Sequence, residues 1–329
     1  MRTGELLRAY LWTSRGEYLV AEVPALFTLF FLGASSFSRF LALEVLEAMA
    51  VFVLLFFFGF MINAYTDQEI DSKYTIFKNR IPSAVRAIGQ RNFRLLMWAQ
   101  VLAALALTAH ISYIIQSWVP LLLMLVGLFF GAGYSIPPLH FKVRGWLHFV
   151  SLSLSIFFIP PAFMVYTISG TLSPEMLLFL GGVSILHYGI EIANQAIDYN
   201  EDLAVGVRSP PVLWGLKNSL VMGLSCILAG GLLELSGIYL LALDRAGAAG
   251  TLIGIPVWQF FLLAVPIVLA GYYVPVRGLW RMYRASITRP LVEATRYMKE
   301  ICNYNLWQAS GILGLMVVSG ILFFGNMQL

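Results

Sequence analysis

The chain has 329 residues, of which 59% are hydrophobic and only 12% are charged. About a quarter of the residues in a soluble globular domain are charged, so this composition excludes that class of protein. The net charge of +4 needs no nucleic-acid partner, because the basic loops of a membrane protein account for it. The two cysteines, Cys226 and Cys302, fit no metal-binding or redox spacing and are predicted to be packing residues.

Apolar runs of about 20 residues, long enough to cross a bilayer as helices, recur along the whole chain. They predict an all-α, polytopic membrane protein, a bundle of about nine helices that encloses a central cavity. Residues 1–329 are interpreted as one membrane-embedded domain. The predicted spans are residues 19–38, 44–65, 93–114, 119–136, 147–168, 175–197, 217–242, 253–275 and 306–325.

Prolines and basic residues add detail to this topology. Pro137-Pro138 is expected to end the fourth span, and Pro160-Pro161 to kink the fifth. All but two of the 21 basic residues, Arg39 and Arg245, fall on the N-terminus and the even-numbered loops. This asymmetry predicts that the N-terminus and those loops face the cytoplasm. The basic stretch 277–300 is predicted to be an interfacial helix or loop that anchors the protein without touching substrate.

Two acidic motifs share one pattern, a carboxamide followed by two aspartates at intervals of four residues. They are Asn63, Asp67 and Asp71 in the stretch INAYTDQEID, and Asn194, Asp198 and Asp202 in the stretch IANQAIDYNED. An interval of four places side chains along one helix face. Each motif ends an even-numbered span, and the second follows the first at an offset of 131 residues. The sequence therefore predicts a duplicated helical unit whose two acidic ends face each other.

Carboxylate and amide oxygens without clustered histidine or cysteine favour a hard cation, Mg²⁺ or Mn²⁺. Because Mg²⁺ is commonly shared between carboxylates and phosphate oxygens, the predicted substrate is a phosphate or diphosphate ester with a lipidic organic part. Basic residues on the loops beside the motifs agree with this interpretation: Arg80, Lys142 and Arg208.

Three stretches resemble motifs of the UbiA-type intramembrane prenyltransferase superfamily. The first acidic motif and the following RIPSA resemble that family's N-D-x-x-D-x-x-x-D box and R-P-x-P-S-G segment. YSIPPLHFKVRG is similar to Y-S/T-x-P-P-x-x-x-K-x-x-G, and DYNEDLAVGVRSPPVLWG to D-x-x-x-D-x-x-x-G-x-R-T-x-P-V-x-x-G. The chain departs from these patterns at Ala64, where the family has Asp, at Ile81 and Ala84 in the RIPSA segment, and at Ser209, where the family has Thr.

The resemblance implies transfer of a prenyl group from a polyprenyl diphosphate to an aromatic or lipidic acceptor within the membrane, with two Mg²⁺ ions expected and Mn²⁺ able to replace them. The metal ligands would be Asn63, Asp67, Asp71, Asp198 and Asp202. The diphosphate would be bound by Asn63, Arg80, Lys142, Arg208 and Asn194. Tyr134 would act beside the four aspartates in catalysis, through a cation–π contact or by orienting the acceptor.

Other interpretations stay open at this point. A membrane terpene cyclase of the same superfamily would ionise the same diphosphate, and an ion or phosphate transporter could also contain repeats with buried acids. The acceptor could be a hydroxybenzoate, a naphthoate, a glycerol phosphate lipid, a porphyrin or chlorophyllide, or a carotenoid. Arg15 with Glu17 is interpreted as an ordinary interfacial pair, and His187 as a packing residue.

Overall fold

The computed structural model describes residues 3–72 and 80–326. In these two ranges the α-helices, in chain order, are α1 (Thr3–Thr13), α2 (Leu19–Gly33), α3 (Leu43–Thr66), α4 (Gln68–Asp71), α5 (Arg80–Ile88), α6 (Gln90–Ile114), α7 (Val119–Ser135), α8 (Trp146–Leu152), α9 (Ile159–Ser169), α10 (Pro174–Ile197), α11 (Tyr199–Val205), α12 (Pro210–Trp214), α13 (Leu216–Ala246), α14 (Val257–Thr288), α15 (Leu291–Ile301) and α16 (Tyr304–Asn326).

Shorter elements connect these helices. The 3₁₀-helices are Gly16–Tyr18, Phe37–Leu41, Phe141–Val143 and Gly247–Ala249, and a π-helix covers Ser153–Phe158. A small antiparallel hairpin precedes α14, with β1 at Thr251–Leu252 and β2 at Ile255–Pro256. The all-α prediction is therefore confirmed, and the protein is a multi-pass integral membrane protein.

Eight helical segments of the described residues are long and apolar enough to cross a membrane: Gly16–Gly33, Leu43–Thr66, Gln90–Ile114, Trp146–Ser169, Pro174–Ile197, Leu216–Ala249, Val257–Thr288 and Tyr304–Gly325. The predicted fourth span is α7, an apolar helix of 17 residues that is shorter than these eight. At 1.5 Å per residue such a helix is about 25 Å long, near the lower limit for a bilayer core.

The kink predicted at Pro160-Pro161 takes the form of a change of helix type. α8 passes into the π-helix Ser153–Phe158, and α9 then begins with the two prolines in its first turn, where a proline needs no backbone donor. The Ser184 hydroxyl on α10 donates to the Ser153 carbonyl at 3.0 Å. A neighbouring helix thus satisfies a carbonyl at the start of the irregular segment, as an apolar environment requires.

The eighth span is longer than the sequence indicated. α14 continues past the predicted boundary at residue 275 to Thr288, so Arg277, Arg281 and Arg284 extend the spanning helix. The helix ends where Arg289 is extended, directly before Pro290, because a proline disfavours helix in the residue before it. Only α15, the second part of the basic stretch, is a separate amphipathic helix.

α10 and α13 approach closely because glycines line their contact. A Cβ atom added to Gly182 would lie 2.3 Å from the Glu234 nitrogen, and one added to Gly230 would lie 2.5 Å from the Leu186 nitrogen. Small residues at such positions let membrane helices pack backbone against backbone. Since α10 carries the second acidic motif at its C-terminal end, this contact holds that motif in place.

The two arginines that depart from the charge asymmetry have structural partners at helix C-termini. Arg39 donates to the Ile168 carbonyl at 3.1 Å and pairs with Glu44 at 2.7 Å. Arg245 donates to the Leu32 carbonyl at 2.6 Å, one residue before the end of α2. A cation is stabilised near the negative end of a helix. These partners account for the two exceptions, and the orientation of the chain in the membrane stays a prediction.

We expect Gly230→Ala to lower the free energy of unfolding by about 1–3 kcal/mol or more, because the new methyl group would meet α10 backbone. The matched control is Gly231→Ala on the same helix, whose Cβ would lie 3.6 Å from the nearest atom, a methyl carbon of Leu186. Thermal unfolding in detergent micelles compares the two variants. Equal stability of both would contradict the packing described for α10 and α13.

Candidate active site

The two acidic motifs have the same local backbone fold. The helix is interrupted at the middle aspartate of each motif, with φ −98° and ψ 6° at Asp67, and φ −94° and ψ 4° at Asp198. A short helix follows, and the third residue of each motif donates its backbone N–H back to the middle one at 2.8 Å, from Asp71 and from Asp202. The prediction that the three residues of each motif lie along one continuous helix is wrong, because the helix is interrupted at the middle aspartate. The predicted repeat is confirmed, since both motifs have the same backbone conformation and the same backbone hydrogen bond.

Lys142 joins the first motif to the loop that follows α7. Its Nζ contacts Asp67 Oδ1 and lies 3.4 Å from Asn63 Oδ1, which also accepts from the Ser135 hydroxyl at 3.0 Å. The side chains of Lys142 and Asp67 are only 12% and 13% exposed, so little water screens this ion pair. Two stretches that the sequence analysis treated as separate motifs therefore form one site.

Arg15 links the two acidic motifs electrostatically. Burial and the neighbouring Asp67 carboxylate raise the pKa of Asp71 to about 6, and Arg15 opposes this shift. Burial and the carboxylates of Asp202 and Glu201 raise the pKa of Asp198 to about 7, and Arg15 again opposes it. One guanidinium thus lies within electrostatic range of both motifs, which are therefore at the same end of the bundle, here called the acidic end.

Arg15 was interpreted from the sequence as an ordinary interfacial pair with Glu17, and the structure adds its position near both motifs. Its predicted pairing with Glu17 is present, with 3.8 Å between Nη1 and Oε1. Its backbone is in the left-handed region, with φ 52°, immediately before the 3₁₀-helix that leads into α2. A left-handed non-glycine residue is uncommon, and such residues are concentrated at functional sites. No sequence pattern indicates this conformation.

Tyr134 is held on the cavity wall by a buried histidine. Its hydroxyl lies 3.1 Å from His148 Nε2, and His148 Nδ1 lies 3.1 Å from the Tyr188 hydroxyl. Tyr134 is also within electrostatic range of Asp67 and Asp202, one residue from each motif. His148 is 2% exposed and was not a predicted site residue, because a single histidine in an apolar span carries no recognisable motif.

A cavity of about 340 Å³ opens beside the acidic end. Three predicted site residues line it, Asn63, Tyr134 and Asn194, together with Arg15 and Glu191. The rest of its wall is mainly aliphatic and aromatic side chains from several membrane helices, an arrangement typical of a site for an apolar ligand with a few polar contacts. The predicted central cavity is therefore present.

Two predicted diphosphate ligands lie away from these contacts. The Arg80 guanidinium lies 4.7 Å from the centre of the Trp12 ring on α1, and Arg8 lies over the same ring at 4.6 Å. Arg208 is exposed on the loop after α11.

Glu69, between the first-motif aspartates, is exposed too. Lys73 and Lys78, used in the orientation argument, lie outside the described residues.

α15, in the segment that was predicted to anchor the protein, also packs against the second motif. Lys299 forms an ion pair with Glu201, and Asn200 donates to the Thr295 hydroxyl at 2.6 Å. Glu201 and Asn200 belong to α11, which also carries Asp202. The basic helix therefore helps to hold this aspartate at the site.

The departures in the first acidic motif and the RIPSA segment lie together. Ala64, Ile81 and Ala84 are 4%, 3% and 3% exposed and belong to one buried apolar cluster between α3, α5 and α6. An aspartate in place of Ala64 would have its carboxylate in this apolar environment, at a high desolvation cost. The chain thus has an alanine in place of this acid where the facing helix α5 presents the apolar residues Ile81 and Ala84.

The donor set fits a cation that is shared with a phosphate ligand. Among the described residues, no three His, Cys, Asp or Glu side chains are grouped around one metal position. Mg²⁺ does not require such a group, since it usually takes one or two carboxylates and completes its coordination with phosphate oxygens and water. The Lys142 ammonium, in contact with Asn63 and Asp67 oxygens, shows that the first motif accepts a positive charge there.

The fold is similar to that of a solved UbiA homolog from Archaeoglobus fulgidus bound to DMAPP and Mg²⁺. The two structures superpose with a TM-score of 0.62 over 94% of this chain and 99% of the homolog, at 17% sequence identity. A second structure of this homolog, bound to GPP and Mg²⁺, gives a TM-score of 0.60 over 93% of this chain and 99% of the homolog, also at 17% identity. Residues 23–297 match the UbiA prenyltransferase family, and the chain belongs to that family.

Relatives with known names share a higher sequence identity over shorter stretches. A 4-hydroxybenzoate octaprenyltransferase from Sodalis glossinidius (strain morsitans) is 33% identical over 235 residues, which cover 67% of this chain and 73% of the relative. A chloroplastic chlorophyll synthase from Oryza sativa subsp. japonica is 30% identical over 160 residues, covering 48% of this chain. The chain spans 42% of the length of that chlorophyll synthase.

We expect His148→Leu to destabilise the protein, since two buried tyrosine hydroxyls would lose their partner. A double-mutant cycle with Tyr134→Phe should give a coupling energy of about 0.5–3 kcal/mol, because the two residues share one hydrogen bond. Thermal unfolding of the wild type, both single variants and the double variant measures this energy. Strictly additive effects would contradict the contact between Tyr134 and His148.

Proposed function

We propose that this protein is a Mg²⁺-dependent prenyltransferase that moves a prenyl group from a polyprenyl diphosphate to an aromatic or lipidic acceptor inside the membrane. The observation that carries the proposal is the position of Arg15, which faces Asp71 of one motif and Asp198 of the other beside an apolar cavity. Membership of the UbiA prenyltransferase family and similarity to two kinds of named relative, an octaprenyltransferase and a chlorophyll synthase, support it.

In this proposal the two motifs hold Mg²⁺, with Mn²⁺ able to replace it. The proposed ligands are Asn63, Asp67, Asp71, Asp198 and Asp202. One ion at each motif is expected, because each has the same interrupted helix and the same oxygen donors. Bound Mg²⁺ supplies positive charge to the diphosphate oxygens, which makes the diphosphate a better leaving group.

The basic residues would also supply positive charge to the diphosphate. Lys142 Nζ, between Asn63 and Asp67, is placed to donate a charge-assisted hydrogen bond to a diphosphate that arrives there. Arg208 follows the second motif on an exposed loop, and Arg80 begins α5 next to the first motif. Asn194, on the last turns of α10, would contribute a carboxamide at the boundary between diphosphate and acceptor.

The cavity would take the organic parts of both substrates. Its aliphatic and aromatic walls exclude water from an allylic carbocation that would otherwise be hydrolysed. Tyr134 presents an electron-rich ring on this wall, and its hydrogen bond to His148 restricts the rotation of that ring. The aspartates of the two motifs lie at one end of the helices and not at their middle, which argues against a transporter.

The proposed orientation places the N-terminus and the acidic end at the cytoplasmic face. Its support is the charge asymmetry of the loops, to which Arg39 and Arg245 are exceptions with structural partners. We further propose that residues 1–329 act as one membrane-embedded unit, since both motifs contribute to one cavity.

Asp67→Ala and Asp202→Ala should each lower Mg²⁺-dependent pyrophosphate release from geranyl diphosphate by about a hundredfold or more, because each variant removes a charged ligand of the leaving group. Glu69→Ala is the matched control, an exposed acid between the first-motif aspartates. A coupled pyrophosphate assay on the purified protein measures the rates. Full activity of either aspartate variant would refute the assignment, and a cyclised product formed without acceptor would favour a terpene cyclase.

Lys142→Gln should have opposite effects on the two ligands. Without its ammonium, Asn63 and Asp67 become free for a cation, so Mn²⁺ should bind about threefold to tenfold more tightly in the absence of diphosphate. Geranyl diphosphate should bind more weakly. Electron paramagnetic resonance measures bound Mn²⁺, and Arg144→Gln, an exposed loop residue that contacts the Pro138 carbonyl, is the control. Weaker Mn²⁺ binding to Lys142→Gln would exclude this competition.

A further inference from the structure

The cavity contains two carboxyl groups that the proposed chemistry does not use. Glu22 on α2 and Glu191 on α10 both line it, among apolar neighbours such as Phe179. An acidic side chain among membrane helices is costly and therefore points to a function. Among the described residues that line the cavity, Arg15 is the only lysine or arginine, and it already faces Asp71 and Asp198.

Glu191 is held in place from two sides. The Asn194 amide donates to Glu191 Oε1 at 3.2 Å, which ties the carboxyl to the second acidic motif. On the other side, the hydroxyl of Tyr304 on α16 interacts with the same carboxyl. The Tyr304 ring is itself packed against Tyr18 at a centroid distance of 5.6 Å. Glu191 therefore has a defined position on the cavity wall.

A chain of buried hydrogen bonds supports Tyr304 from behind. Its hydroxyl accepts from Gln308 Nε2 at 2.9 Å, and the Gln308 carbonyl oxygen contacts His187 Nδ1. His187 Nε2 lies 3.2 Å from the Tyr272 hydroxyl, which donates to Glu234 at 3.2 Å. Since both ring nitrogens of His187 are engaged, its predicted packing role agrees with these contacts. The network connects four helices and holds Tyr304 and Glu191 towards the cavity.

These contacts restrict which acceptor can bind. Among the described residues of the cavity wall, an anionic acceptor would meet two carboxyl groups and no lysine or arginine except Arg15, whose charge already opposes those of Asp71 and Asp198, so its own charge would lose hydration with little compensation. An uncharged acceptor has no such cost, and a hydroxyl group on it can donate a hydrogen bond to Glu191. Resting on the proposed prenyltransferase function, we infer that the acceptor is an uncharged, apolar molecule whose hydroxyl group binds Glu191.

Glu191 would then receive the proton that the acceptor loses. As the nucleophilic atom of the acceptor forms its bond to C1 of the prenyl group, the C1–O bond of the donor breaks. The diphosphate leaves with the bonding electron pair, and the hydroxyl proton passes to the Glu191 carboxylate. Glu191 therefore both positions the acceptor and keeps the transfer electrically balanced inside the cavity.

A matched pair of probes tests the charge preference. Methyl 4-hydroxybenzoate and 4-hydroxybenzoate share one ring and one hydroxyl group and differ in the charge of the other substituent. At pH 7.5 the ester should bind the full-length protein at least about tenfold more tightly by isothermal titration calorimetry, a difference of about 1.4 kcal/mol. Equal or tighter binding of the acid would overturn the inference, and so would a failure of both to bind.

Glu191→Gln tests the proton transfer. With geranyl diphosphate, Mg²⁺ and the ester, it should lower the ratio of prenylated ester to released pyrophosphate by about tenfold or more, and Glu191→Asp should restore part of it. Glu47→Gln is the control, since Glu47 lies outside the cavity and pairs with His110 at 2.8 Å. An unchanged ratio in Glu191→Gln would overturn the role of Glu191.

The two proposals fail in distinguishable ways. Release of pyrophosphate from geranyl diphosphate without any acceptor depends only on the metal and diphosphate site. If the wild type releases none, the proposed function fails, whatever the binding preference for the ester. If it releases pyrophosphate but prefers the acid, the proposed function stands and the inference about the acceptor fails.

Discussion

Repulsion among buried carboxylates is the constraint on which the rest of this structure depends. Burial raises the pKa of Asp71 to about 6 and of Asp198 to about 7, because each carboxylate loses water and lies near another. Lys142 and Arg15 supply part of the opposing charge. The remaining demand for positive charge at the acidic end is what a divalent cation shared with a diphosphate would meet.

The helix interruptions and the glycine contact between α10 and α13 keep these carboxylates near one another despite their repulsion. Breaking the helix at Asp67 and at Asp198 leaves each middle aspartate between two helices, with its neighbour four residues later on a separate short helix. Gly182 and Gly230 let α13 pack directly on α10. The second motif is thereby held against a rigid element, and repulsion between its acids cannot be relieved by moving the helix away.

Sequence patterns predicted the features that depend on composition and spacing. The apolar runs indicate the spans, and the intervals of four residues indicate both acidic motifs. They could not indicate that Arg15 lies within electrostatic range of both motifs, because only the fold brings the two motifs to one end. The sequence could not indicate His148 either, since His148, Tyr134 and Tyr188 lie on three different helices that only the fold brings together. The length of α14 was underestimated because hydropathy falls at Arg277, whereas the helix continues to Thr288.

The departures from the family motifs and the acids in the cavity concern different parts of the fold. Ala64 and Ile81 are buried together on the far side of α3, so their changes leave Asn63 and Asp67 in contact with Lys142. Glu22 and Glu191 line the cavity, where the acceptor would bind. The acidic end therefore keeps the contacts of Lys142 with Asn63 and Asp67 despite the change at Ala64, and the carboxyl groups of Glu22 and Glu191 lie separately, in the wall of the cavity. In the proposed acceptor site, Glu191 and its hydrogen-bond network, and not the altered first motif, would determine which acceptor binds.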